Sequence, residues 1–433
     1  MKIAYIVPGS GGGFYCENCV RDGVLISAMR RAGHDAFLVP MYLPLFLDES
    51  GAIPSAPLFF GGINAYLQQI SAFFRRTPRW LDRGFDSHWL LRLAARRAGT
   101  TRAYGLGAMT YSMLLGREGR QAKEVERLVA WLRSVGAPEI VHLSNALLLG
   151  LAAPVRRELG CRVVCSLQDE DTWLDALDPP YDRDCWQALR AGAKEVAVFV
   201  AVSRWYADRF AARLDISPAS IRIVPAGVPD PGEPALRPGG GAVIGYLARL
   251  SRANGADQLV EAFLRLRQQR GFETARLRLT GGHTADDRPF LRQLHQRIAA
   301  AGATNAVDFL PDFDRRARRE FLATLTALSV PMPAGEAFGL FLVEAAAAGV
   351  PVVQPRTGAF PEIVAATGGG ALYEPATADA LYAALLELLS NPDQWRDLAV
   401  RGRQGYLREF TDDLMARATV AAYDAAAKSR SAV

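Results

Sequence analysis

The run GVPDPGEPALRPGGG, Gly227–Gly241, decides how the rest of the chain is read. Residues 226–241 hold nine prolines and glycines in sixteen positions, a composition in which neither a helix nor a strand interior survives. It predicts a linker. On its N-terminal side, short β-branched runs alternate with helical patterns: Lys2–Pro8, Asp35–Pro40, Glu139–Leu143, Arg162–Leu167, Val196–Val202 and Ile221–Pro225. On its C-terminal side the alternation resumes with Val243–Leu247, Arg276–Thr280, Val307–Leu310, Ala327–Val330, Val350–Val353 and Ala371–Tyr373. Most runs are continuously apolar, as parallel strands covered on both faces must be. The expected fold class is therefore α/β, with two Rossmann-like, doubly wound domains facing a cleft. The expected bodies are 1–230, 242–411 and a final helical stretch, 412–433, that packs back on the first.

Composition agrees with a folded two-domain protein. The chain has 433 residues, half of them apolar and 22% charged, too many for one growing core. The longest apolar run, Ala146–Val155, is too short to span a bilayer. The opening MKIAYIVPGSGGG enters a strand pattern directly, so a cytoplasmic location is expected, at most peripheral to the inner face of a membrane. Five cysteines are too few for a disulfide framework. Between Gly62 and Arg120 ten arginines face three acids. This basic insertion, with Phe73, Phe74, Trp80, Phe85 and Trp89 interleaved, reads either as a solvated helical face or as a contact for lipid headgroups or an anionic acceptor. No nucleic-acid partner is expected.

The stretch EAFGLFLVEAAAAGVPVV, Glu336–Val353, carries the chemistry. A helix starting near Gly339 presents backbone N–H groups without intrahelical partners, a seat for a diphosphate. Glu336 precedes it and Glu344 lies inside it, so two carboxylates flank the phosphate seat and can accept from sugar and ribose hydroxyls. The spacing resembles the Glu-x7-Glu signature of glycosyltransferase family 4, retaining enzymes of the GT-B fold. Further stretches agree with that family in order: GYLARL with NGADQLVEAF (Gly245–Phe263), VDFLP (Val307–Pro311), TGAFPEIV (Thr357–Val364), AVSRWYADRF (Ala201–Phe210) and IRIVPAGVPD (Ile221–Asp230). The resemblance implies a retaining hexosyl- or glycosyltransferase whose substrate is a nucleotide-sugar and which needs no separate cofactor or metal. It implies that Glu344 binds the ribose, Glu336 the donor sugar, Phe338, Gly339 and Leu340 the phosphates, and Leu310 the nucleobase. Arg249 matches the arginine on the diphosphate, a role its paired donors suit. Arg249 and Glu336 are thereby the catalytic candidates.

The chain departs from the pattern in three places. Asn254 stands where the family has a second cation, with Arg252 two residues away as a substitute. His142-Leu143-Ser144-Asn145 lacks a second histidine, and Ala226 replaces an asparagine. His142 and Asn145, with Asp169 and Glu170 of QDEDTWLDALD, are the acceptor-side candidates. In the same reading Gly11 and Gly12 let the donor approach the backbone of the first glycine loop. The dinucleotide fingerprint fails there, because Phe14 stands where it needs glycine and no acid ends the second strand. Cys16 and Cys19 form a C-x2-C without a second pair, which disfavours zinc. Packing of the glycine loop is their expected role, redox sensitivity the alternative. The expected function is sugar transfer to an unidentified acceptor, anionic or lipid-linked; the alternative is a catalytically silent sugar- or nucleotide-binding relative.

Overall fold

The computed structural model describes residues 1–9, 13–42, 103, 105–234 and 241–428. Gly11, Gly12 and the arginine-rich residues 62–102 lie outside them. The chain divides into two compact units. The first comprises Met1–Gly11, Leu25–Val224 and Ala416–Val433; the second comprises Gly12–Val24 and Pro225–Met415.

Among the described residues twelve strands form two six-stranded sheets with every registered pair parallel. In the first unit they are β1 (Lys2–Val7), β2 (Asp35–Pro40), β3 (Ile140–Leu143), β4 (Arg162–Leu167), β5 (Val198–Ala201) and β6 (Ile221–Ile223), in the order β2-β1-β3-β4-β5-β6. The second holds β7 (Val243–Leu247), β8 (Arg276–Thr280), β9 (Val307–Phe309), β10 (Ala327–Leu328), β11 (Val352–Pro355) and β12 (Gly370–Tyr373). Their order is β12-β11-β10-β7-β8-β9. Counted within its own unit, that second order is the 3-2-1-4-5-6 arrangement of nucleotide-binding sheets, and its direction reverses between β7 and β10. Ile3, Ala4, Tyr5 and Ile6 of β1 are fully buried, as are Ile244, Tyr246 and Leu247 of β7. That explains why these strands read as unbroken apolar runs. Among the described residues no helix is long and apolar enough to cross a membrane.

The boundary between the units is not where the proline- and glycine-rich composition alone puts it. Val228 N–H donates to the Phe410 carbonyl at 3.0 Å, and its own carbonyl accepts from Asp412 N–H at 3.1 Å. These bonds tie the chain after Pro225 to the second unit. Gly12–Val24 also belongs there, because Phe14 forms an antiparallel bridge with Gly282 and Tyr15 N–H donates to the Gly281 carbonyl at 2.8 Å. At the other end, Tyr423 of the helix Asp412–Lys428 is fully buried in the first unit, its hydroxyl 2.7 Å from His142 Nδ1.

Gly281 shows how tightly the loop after β8 is built. Its φ is +122°, and a Cβ there would lie 2.2 Å from the Ala248 carbonyl oxygen. Gly302 has φ +65° with nothing within 4 Å of a built Cβ. Gly302→Ala is expected to cost about 1–2 kcal/mol for the left-handed backbone alone. Gly281→Ala should cost about 1–3 kcal/mol more for the overpacking. Urea denaturation of the two variants checks that order.

Candidate functional site

Ligands of doubly wound sheets bind beyond the strand ends where the order reverses. In the second unit those are the loops after β7 and β10. The first carries Arg249. Its carbonyl accepts from the Tyr246 hydroxyl at 2.9 Å and from Asn254 Nδ2 at 3.1 Å, so the backbone at the arginine is fixed twice. The guanidinium stays about a quarter exposed (24%), 3.8 Å from an Asp287 carboxylate oxygen. It lies 5.7 Å from the centre of the Phe14 ring.

Two of the expected donor contacts look different here. The Asn254 side chain holds the Arg249 loop rather than presenting its amide to a ligand. Arg252, the expected substitute for the second cation, is turned toward other partners here. Its guanidinium bonds Asp257 at 2.9 Å and Gln293 at 3.3 Å, and lies over the Phe290 ring. It is engaged at an exposed surface pair of small energetic value.

The loop after β10 ends at Gly339, whose φ of +87° favours glycine and where a built Cβ would crowd the Phe360 ring at 3.0 Å. The helix Leu340–Ala347 follows, all eight of its residues buried. Its first amide, Leu340 N–H, donates to a Glu17 carboxylate oxygen. The helix start thus already holds an anion, as its unpaired amides and dipole favour. Phe338 is buried against Phe410, so only its backbone is available to a phosphate. Glu336 is half-buried, and its carbonyl accepts from Ala359 N–H at 3.0 Å. Leu310 is half-buried at the end of β9, its N–H bonded to the Leu279 carbonyl at 2.8 Å.

Glu344 is buried, with both carboxylate oxygens engaged. One carboxylate oxygen accepts from Arg318 Nε at 2.8 Å, the other from the Tyr15 hydroxyl at 2.7 Å. The Arg318 and Glu344 side chains are only 4% and 10% exposed, which makes this a buried ion pair. Arg318 Nη1 also donates to the Phe313 carbonyl, and its guanidinium lies over the Tyr15 ring. Burial, then the carboxylates of Glu344 and Glu17, push the Tyr15 hydroxyl well above the ordinary tyrosine range, so it stays protonated and donates.

Tyr15, Glu17 and Arg318 were missed in the sequence reading. Arg318 left a signal: it shares a helical face with Phe321 and Leu322, three and four residues on, an odd place for a solvated arginine. Cys16 and Cys19, expected as packing residues, are joined as a disulfide.

The first-unit candidates fare differently. His142 is fully buried, with Nδ1 2.7 Å from the Tyr423 hydroxyl and Nε2 2.8 Å from Ser166 Oγ. It is packed inside the first unit with both ring nitrogens matched to hydroxyls. Glu170 is also buried and accepts from Ala146 N–H, Gln168 N–H and the Tyr206 hydroxyl at 2.6–2.9 Å. Burial raises its carboxyl pKa, and the bonds offset this only in part. It braces the strand ends from a buried position. Asn145 caps the turn Ala146–Leu151 by accepting from Leu147 N–H at 3.1 Å. Asp169 remains, half-buried just past β4, in a left-handed conformation (φ +56°) rare for a non-glycine residue. Among the described residues no group of three or more His, Cys, Asp or Glu side chains is placed to hold a metal ion.

Removing one partner of a buried ion pair leaves the other charged and unpaired. Glu344→Ala should therefore destabilise the fold by about 3–5 kcal/mol. Glu344→Gln, which keeps an acceptor for Arg318 and Tyr15, should cost less. Thermal and urea unfolding of both variants reads the difference.

Comparison with known proteins falls on both units. The family model for glycosyl transferases group 1 matches residues 233–405, and that for Glycosyltransferase Family 4 matches residues 60–230. A GDP-mannose-dependent alpha-(1-6)-phosphatidylinositol monomannoside mannosyltransferase of Mycolicibacterium smegmatis is 30% identical over 283 residues, 61% of this chain and 71% of that protein. An MMP alpha-(1->4)-mannosyltransferase of Mycolicibacterium hassiacum is 29% identical over 242 residues, 54% of this chain. The match spans about half (55%) of that relative's length. Among solved structures, a sucrose-phosphate synthase from Thermosynechococcus elongatus has a TM-score of 0.70 at 18% identity, with 98% of each chain covered. Anabaena Alr3699/HepE, in complex with UDP and glucose, has a TM-score of 0.67 at 17% identity, covering 98% of this chain and 99% of that one. These likenesses, with the two parallel sheets, give the two-domain α/β GT-B fold. Matched in order by two models and to a 30% identical relative over most of that relative's length, the chain belongs to glycosyltransferase family 4.

Proposed function

We propose that the protein is a retaining glycosyltransferase that takes a sugar from a nucleoside-diphosphate donor bound in the second unit. The observation that carries this reading is the set of groups on the two switch-point loops: Arg249 after β7, and the Gly339–Leu340 helix start with Glu344 behind it after β10. A guanidinium and an anion-binding helix start suit a diphosphate. Glu344 suits the ribose hydroxyls, Glu336 those of the sugar, and Leu310 the flank of the base. The mycobacterial relative is named for a GDP-mannose donor, and Alr3699/HepE is seen with UDP; both support the donor class.

In the transfer, the bond between the anomeric carbon and the diphosphate breaks ahead of acceptor attack, through an oxocarbenium-like state. Arg249 and the Leu340 amide stabilise the charge that builds on the departing phosphate. The leaving phosphate takes the acceptor's proton, so no protein base is needed and the acceptor enters on the same face. The acceptor carries a hydroxyl on an anionic or lipid-linked molecule, a reading the ten arginines between Gly62 and Arg120 favour. Asp169 is the residue of the first unit best suited to contact it.

Titration calorimetry with UDP and GDP tests the donor assignment. Arg249→Ala should weaken the better-bound nucleotide by about tenfold or more, the value of a lost charge-assisted bond. Arg252→Ala, already engaged by Asp257, should change affinity by less than about twofold. Unchanged binding in Arg249→Ala would remove the phosphate-site assignment and favour a catalytically silent relative.

A further inference from the structure

Three residues of the stretch Phe14–Glu17 meet the groups just assigned to the donor. The Phe14 ring faces the Arg249 guanidinium at 5.7 Å. The Tyr15 hydroxyl donates to Glu344 at 2.7 Å, where a ribose hydroxyl would donate. Glu17 places a carboxylate on the Leu340 amide, where a phosphate oxygen would accept. Cys16 between them is tied to Cys19. The segment reproduces two pieces of the donor's chemistry, a hydroxyl on the carboxylate and an anion on the helix start, and its Phe14 ring covers the arginine assigned to the diphosphate.

The contact is built into the backbone as well. Phe14 bridges Gly282, and Tyr15 N–H donates to the Gly281 carbonyl. A Cβ on Gly282 would lie 2.5 Å from the Gly13 carbonyl oxygen, so the approach needs glycine on that side. Tyr15 is 5% exposed, and its ring closes off Glu344 together with Arg318.

We propose that Phe14–Glu17 is a plug seated in the donor site, and that the Cys16–Cys19 disulfide keeps it seated until a dithiol reduces it. This deepens the reading above and rests on its assignment of Arg249, Leu340 and Glu344 to the donor. The disulfide closes a ring of four residues, Cys16-Glu17-Asn18-Cys19, at the start of the helix Glu17–Arg31. Glu17 is inside that ring and Tyr15 adjoins it, so the bond fixes the turn from which both side chains reach. Reduction breaks the one S–S bond. Two electrons and two protons pass from the dithiol to give thiols at Cys16 and Cys19, and the dithiol becomes a disulfide. The turn then relaxes, Glu17 and Tyr15 leave Leu340 and Glu344, and the nucleotide takes their places. Both cysteines are half-buried, within a reductant's reach. The other three, Cys161, Cys165 and Cys185, are free and buried, so reduction acts on this bond alone.

The test is calorimetric titration of UDP and GDP into the full chain, untreated and after dithiothreitol, with thiols counted in each sample. A nucleotide that binds only the unplugged form has its apparent affinity reduced by the unplugged fraction. The reduced protein should bind about tenfold or more tightly than the oxidised one, the value of one lost charge-assisted bond. A Cys16→Ser/Cys19→Ser protein should bind like the reduced form with or without dithiothreitol. Tyr15→Phe should tighten binding in the oxidised state. Equal, measurable affinity in both redox states overturns the plug, as does weaker binding by Tyr15→Phe, which would make Tyr15 a donor ligand. No saturable binding by the double serine variant in either state would instead overturn the donor-site reading itself, and the plug with it.

Discussion

The buried pair between Arg318 and Glu344 is the interaction on which the second unit's site depends. A carboxylate inside a helix whose eight residues are all buried is costly unless a cation and hydrogen bonds meet it. Arg318 supplies both, from the helix Arg315–Leu322 that follows β9. The pair therefore joins the loops after β9 and β10, and its Phe313 contact anchors the first of them. Gly339 matters for a related reason. A residue without a Cβ turns the chain so that the helix begins beside Phe360 with its amide exposed to an anion. Charge on one side and backbone geometry on the other converge on the same few ångströms.

Much of this architecture was legible in the sequence because it follows from periodicity and composition. Most of the described strands coincide with apolar runs that two-faced burial requires, and their alternation with helices implies parallel order. Glu336, Gly339 and Glu344 were readable together because they lie within one turn-and-helix segment, where spacing translates into position. What escaped were pairings across long separations. Tyr15 and Glu344 are 329 residues apart, Arg318 and Glu344 only 26 but on different elements. No local pattern reports such a contact.

His142 and Glu170 could not be placed from the sequence for a complementary reason. A polar residue at a strand's end can face a ligand or brace the fold, and the sequence around it is the same in both cases. Burial decides. His142 has each ring nitrogen matched to a hydroxyl, Tyr423 on one side and Ser166 on the other. Glu170 gathers two backbone amides and a tyrosine hydroxyl. Groups so fully partnered hold loops in register, because exchanging those partners for a substrate would leave buried donors unsatisfied.

Asn254 brings these threads together. A lysine there would add charge to the phosphate site, whereas the asparagine donates to the Arg249 carbonyl and adds no charge. The loop gains rigidity and loses a cation, so the attraction of the site for an anion falls more heavily on Arg249 and on the helix start at Leu340. A helix start carries only about half an elementary charge and acts within its first turn. Its preference is correspondingly weak, and a carboxylate held in place by the chain can compete there with a diphosphate arriving from solution. Glu17 occupies that amide. A second cation would have biased the site toward the more highly charged diphosphate. In the proposed donor site, its absence sets the chain's own Tyr15 and Glu17 in competition with a nucleotide, the competition on which the proposed Cys16–Cys19 tether would act.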